Sequence, residues 1–184
     1  MTNRFRPGVA LAASGLAVSA GLLSGCSLIS GPLSMGGPES SSTCVPAEAG
    51  HHLLVGDFFT APANTDAVIR SVDLVEPKGI ELQQAWIAQP GDLAFGSAEY
   101  PPSDGNSTWD GRVDAVGAEA FDGDNNVILL LRRTGTTQGS AAAVEVHYSS
   151  GGTDYTIHGS MSIAMKDQCF EPEPTPTPSP TASG

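Results

Sequence analysis

Apolar and polar residues alternate along much of the chain with a period of two, the pattern of strands that bury one face. In "GIELQQAWIA" (79–88), Ile80, Leu82 and Trp86 alternate with Glu81, Gln83 and Ala85. In "AAVEVHY" (142–148), Val144, Val146 and Tyr148 fall on one side. In "MSIAMK" (161–166), Met161, Ile163 and Met165 do the same. "NVILLLRR" (126–133) is a short continuous apolar run, as expected of a strand covered on both faces. "HLLVGDFF" (52–59) and "AVIRSVDLVE" (67–76) read as strands with less regular alternation. Gly, Pro and Asp separate these runs. No segment has the period of an amphipathic helix, although "DAVGAEAF" (114–121) has room for a turn or two. The pattern predicts an all-β domain over residues 44–170, an immunoglobulin-like β-sandwich of about 7–8 strands.

One hairpin is specified closely. In "VEVHYSSGGTDYTIH" (144–158), Gly151-Gly152 lies between two alternating runs, and a Gly-Gly loop suits a tight primed turn. The register then pairs Ser150 with Thr153, Tyr148 with Tyr155, Val146 with Ile157 and Glu145 with His158. Its aromatic and aliphatic pairs share one face. Glu145, His147 and His158 share the other, with the two imidazoles diagonal. Two imidazoles and a carboxylate are a ligand set for Zn²⁺ or Cu²⁺. The competing reading is a solvated polar face. His51 and His52 are adjacent, point to opposite sides of a strand, and are given no role.

The apolar pattern changes character at the N-terminus. "MTNRFRPG" carries Arg4 and Arg6 and no acid, and an apolar segment runs from Val9 to Leu23. At 1.5 Å per residue that segment is roughly 22 Å as a helix, short for a membrane span. Basic head, short apolar body and small residues form the layout of an export signal. Arg4 and Arg6 are not adjacent, as a twin-arginine signal requires. The segment ends in Leu23-Ser24-Gly25-Cys26, which resembles the lipobox of bacterial lipoproteins. The resemblance implies that residues 1–25 are a signal peptide removed by cleavage. Cys26 would then be the N-terminus, carrying a diacylglyceryl group on its thiol. Two acyl chains hold a protein durably, where one gives marginal attachment. The expected location is the outer face of the cytoplasmic membrane.

Export also bears on the other two cysteines. Cys44 and Cys169 bracket the domain, neither sits in a CxxC pair or beside a His, and an oxidising compartment favours a disulfide between them. Residues 26–43 are rich in Ser, Gly and Pro and read as a flexible tether with a reach of about 23 Å. "EPEPTPTPSPTASG" (171–184) reads as a disordered Pro/Thr-rich tail. The whole resembles small lipoproteins of high-G+C Gram-positive bacteria.

Charge narrows the partners. The chain has 8 Lys+Arg and 20 Asp+Glu. Loss of Arg4 and Arg6 leaves 6 basic residues against 20 acidic, a formal net of −14. Such a surface repels nucleic-acid phosphates, so no nucleic-acid partner is expected. "DGDNN" (122–126) begins like a calcium loop, but Val127 stands where Gly is needed and Arg133 where Glu is needed. A turn before a buried strand accounts for it. "NST" (106–108) matches a glycosylation sequon that belongs to a eukaryotic secretory route. No G-x-S-x-G, H-E-x-x-H or P-loop is present, nor a blue-copper pattern after Cys169. The expectation is a non-enzymatic domain without cofactor, held on the membrane and binding a protein or envelope ligand. The segment 88–111 is long for a loop in a compact domain and carries Phe95, Tyr100 and Trp109. Tyr100 and Trp109 are the candidate binding residues. The alternative is that this loop folds back onto the sheet and fills the core edge.

Overall fold

The computed structural model describes residues 31–36, 41–90, 96–102 and 107–169. Cys26, Phe95, the signal segment and the Pro/Thr-rich tail lie outside them. The described chain is nearly all β, in a sandwich-like arrangement of three sheets. In chain order the strands are β1 (Ser34–Met35), β2 (Ser41–Pro46), β3 (His52–Ala61), β4 (Val68–Val75), β5 (Ile80–Ala88) and β6 (Ser97–Glu99). They continue, after the short helix α1 (Ser107–Asp110), with β7 (Val113–Asp114), β8 (Gly123–Arg133), β9 (Gln138–Ala141), β10 (Ala143–Ser150), β11 (Thr153–His158) and β12 (Met161–Lys166).

The largest sheet runs β1-β3-β8-β5-β7, with β6 also on β3. A second runs β11-β10-β4, and a third β2-β12-β9, in which β2 and β12 are parallel. The long strands match the runs seen in the sequence. The hairpin has the register that Gly151-Gly152 dictates, from Ser150 opposite Thr153 to Glu145 opposite His158. Both glycines have positive φ, 56° and 79°, as a tight primed turn requires.

β8 is the centre of the molecule. Val127, Leu129 and Leu131 point into the main core, where they meet Val55 and Phe59 of β3, Ile69 of β4, Val144, Val146 and Tyr148 of β10, and Ile163 and Met165 of β12. Ile128 and Leu130 point the other way, into a smaller cluster with Leu54, Trp86 and Ala88. Each such side chain, fully buried, contributes about 1.5–3 kcal/mol. The continuous apolar run is therefore explained by burial on both faces.

Two segments depart from the sequence reading. Of the segment expected as a tether, 26–43, residues 31–36 and 41–43 belong to the fold. Leu33 is in the core, and its N–H donates to the Tyr148 hydroxyl at 3.1 Å. Gly31 packs so close that a β-carbon there would collide with that hydroxyl and with the Tyr155 ring. Leu33 and Met35 stand alone among Ser, Gly and Pro, too few apolar positions to show a strand period. The helical turn expected in 114–121 is also absent. Gly117 (φ 87°) breaks it, and residues 117–120 run along the start of β4, with Ile69 N–H to Ala118 O at 2.9 Å.

Cys44 and Cys169 are joined, with Cα atoms 5.7 Å apart. The bond ties β2 to the residues just after β12. The same end of the molecule is organised by Arg133, whose side chain is fully buried. Its guanidinium donates to the carbonyls of Ala47, Gly135 and Thr136 and pairs with Asp167. Three separate segments, after β2, between β8 and β9 and after β12, meet on one side chain. Gly79 (φ 60°) closes this corner, where a β-carbon would stand 2.7 Å from the Gln138 carbonyl.

Candidate functional site

The described parts of the 88–111 segment, residues 88–90, 96–102 and 107–111, do not stand away from the domain. β6 adds to β3 with Leu54 opposite Ala98, and α1 follows from Ser107. Ala98 and Trp109 pack on the smaller cluster, so these parts cover the outer face of the largest sheet. The reading in which it folds back and fills the core edge is the one the geometry supports for Trp109. The indole stands edge-on to Trp86, with ring centroids 5.2 Å apart. The Arg112 guanidinium lies 3.6 Å from the Trp109 ring centroid and donates to the Trp109 carbonyl at 2.7 Å. A cation over an indole face is an attractive pair, stronger where water is displaced.

Tyr100 differs. Its side chain stands at 80° to the Trp109 ring, 6.3 Å away, and the residue is 45% exposed. The structure thus layers this patch, with Trp86 buried, Trp109 half-buried and clamped by Arg112, and Tyr100 outermost. Arg112 was the residue the sequence reading left out. Its signal was its place three residues after Trp109, just past a short helical turn.

On the outer face of the β11-β10-β4 sheet, Glu145, His147 and His158 do come together, as the hairpin register requires. Glu145 Oε1 lies 2.6 Å from His147 Nε2, and Oε2 lies 3.0 Å from His158 Nδ1. His147 Nδ1 meets the Thr156 hydroxyl at 2.9 Å, and Asp73 on β4 approaches Nε2 at 3.7 Å. Each imidazole engages a different oxygen of one carboxylate, so Glu145 bridges the two rings as a hydrogen-bond acceptor. Among the described residues, no group of three or more His, Cys, Asp or Glu is placed to hold a metal ion.

The "DGDNN" turn is occupied by structural bonds. Asp122 accepts from the Asn64 N–H, and Asp124 from the Thr60 hydroxyl, both at 2.9 Å. Asn125 is buried and bonds the Phe121 N–H and carbonyl. Where a turn before the strand was expected, residues 123–126 are already the start of β8 and pair with Phe58–Ala61 of β3, with only Asp122 ahead of it.

A buried carboxylate went unnoticed in the sequence. Asp57 shares the core-facing side of β3 with Val55 and Phe59 and is 6% exposed. Oδ1 accepts the Phe58 N–H at 2.8 Å, while Oδ2 has no hydrogen-bond partner among the described residues. Burial raises its pKa above the ordinary carboxylate value, only partly opposed by the Phe58 bond.

No protein-family model matches the chain, and no curated protein matches it. Among solved structures, one described as the Vibrio cholerae VesB protease aligns at a TM-score of 0.34 and 12% identity. The alignment covers 73% of this chain and 32% of that one. A likeness at that level carries no argument about activity.

Proposed function

We propose that this protein is a lipid-anchored module on the outer face of the cytoplasmic membrane that binds a protein or envelope ligand without catalysing a reaction. The anchor reading rests on Leu23-Ser24-Gly25-Cys26 after a short apolar segment. The binding reading rests on Tyr100, 45% exposed above a Trp109 that Trp86 and Arg112 hold in place. Tyr, Trp and Arg are the residue types that dominate interface energetics, and a braced aromatic loses little freedom on binding.

The test is chemical cross-linking on intact cells, comparing the native protein with Tyr100→Ala. Tyr100 is outermost, so its truncation leaves the domain folded. The expected result is a loss of the captured partner by about tenfold, corresponding to about 1.4 kcal/mol. Capture that survives Tyr100→Ala removes this patch from the account. Calorimetry with Zn²⁺ and Cu²⁺ separates the metal-binding alternative. The bridging role of Glu145 predicts no stoichiometric tight binding. Tight binding that His147→Ala and His158→Ala abolish would replace this proposal with a metal-binding one.

A further inference from the structure

The edges of β4 and β5 face each other across a cleft of about 520 Å³. Residues 117–120 bond to β4 only along Ala67–Ile69. β7 pairs with β5 only at Trp86 and Ile87. Among the described residues, Ser71–Leu74 and Glu81–Gln84 have no strand partner on their outer sides. The cleft wall is apolar, from Val72, Ile80, Leu82 and Ala85, with Val116 65% exposed at its mouth. Its rim is acidic. Asp73 and Glu81 line it with half-exposed side chains; Arg132 compensates Glu81 at 2.9 Å, so Asp73 is the rim carboxylate without a Lys or Arg partner among the described residues.

We propose that this cleft is a docking groove for an extended, basic segment of a partner protein, which joins β4 as an added strand. An open strand edge supplies backbone donors and acceptors, and an apolar wall accepts every second side chain of the incoming segment. Both strands carry a bulge: that of β5, between Leu82 and Gln84, falls inside its open stretch, whereas that of β4 falls at Arg70, before Ser71–Leu74, which run in regular register with β10. A bulge twists an edge away from pairing, so β4 is the receiving strand. Charge selects the partner. Residues 44–170 hold 17 Asp+Glu and 6 Lys+Arg, so a second copy is repelled and a basic segment attracted. The groove shares no residue with the Tyr100 patch and stands or falls independently of it.

Hydrogen exchange on the full-length protein tests it. The probe is a peptide of about six residues alternating lysine and valine, a typical strand length. The control peptide carries glutamate in place of lysine. The lysine peptide should slow exchange at Ser71–Leu74 about tenfold, and the glutamate peptide should not. Asp73→Asn should weaken the effect, and Asp73→Lys, which leaves the Glu81–Arg132 pair in place, should abolish it. Equal slowing by both peptides, slowing confined to other strands, slowing that survives charge reversal, or none at all would each overturn the proposal.

Discussion

Arg133 shows how much one side chain decides in this domain. It is fully buried, and its donors satisfy three carbonyls that come from the end of β2 and the β8–β9 turn. Each carbonyl left unpaired in a buried place costs about 1–3 kcal/mol. Arg133→Met should therefore destabilise the domain by roughly 3 kcal/mol or more, read by denaturant unfolding. Arg133→Lys should not restore it, because a single ammonium lacks the planar fork that reaches several acceptors at once. A loss within about 0.5 kcal/mol for either variant would show that the corner is held by something else. Asp57 acts in the opposite sense. Its folded pKa is raised, so the folded state binds more protons than the unfolded state just above the ordinary value of 3.8. Stability from this group is present at low pH and is lost as pH rises through the raised pKa. Asp57→Asn should raise the thermal midpoint at neutral pH, with the gain shrinking as pH falls towards 3.8. A gain that does not change with pH would mean that ionisation of Asp57 is not what costs stability.

At the scale of the element, strands with side-chain patterning were legible and strands without it were not. β8 showed as an apolar run because both its faces are covered, by Val127, Leu129 and Leu131 on one side and Ile128 and Leu130 on the other. The β10–β11 hairpin was legible to the residue, since Gly151-Gly152 fixes the turn and a slip by one would bury His147 instead of Tyr148. Replacing Gly152, with its φ of 79°, by Val should cost about 1 kcal/mol or more, measured by thermal unfolding. A neutral outcome would argue against the primed turn. β1 and β2 were hidden, because β1 is two residues long and β2 opens with a Ser-Ser-Thr run that shows no apolar alternation. Parity along β8 did place Arg133 beside Leu131 on the core side, and parity along β3 placed Asp57 beside Phe59. Charge argued for the surface in both, and the partners that keep Arg133 buried are distant in sequence. The candidate patch was half legible. Tyr100 and Trp109 were visible as residue types, but their layering over Trp86 depends on where β6 and α1 return to the sheet.

At the scale of the whole molecule, the disulfide ties the domain's two ends, and the proposed anchor would hold it on the membrane. Cys44 and Cys169 close a loop with a sequence separation of 125. Replacing both by Ser should lower stability by at most about 4–5 kcal/mol, the chain-entropy limit for so long a loop. An unchanged denaturation midpoint would show that the remaining fold suffices. If Cys26 is acylated, the intact mass of protein extracted from membranes should include a diacylglyceryl group there, and Cys26→Ser should free or trap the precursor. The central claim is that a membrane-held domain meets its partner through the Tyr100 patch. The most direct measurement places a photo-reactive residue at position 100 of the anchored protein on intact cells, with position 154 on the exposed β10–β11 hairpin as the control. The account predicts a discrete adduct from position 100 and none from position 154. No adduct from position 100, or the same adduct from both positions, would contradict it.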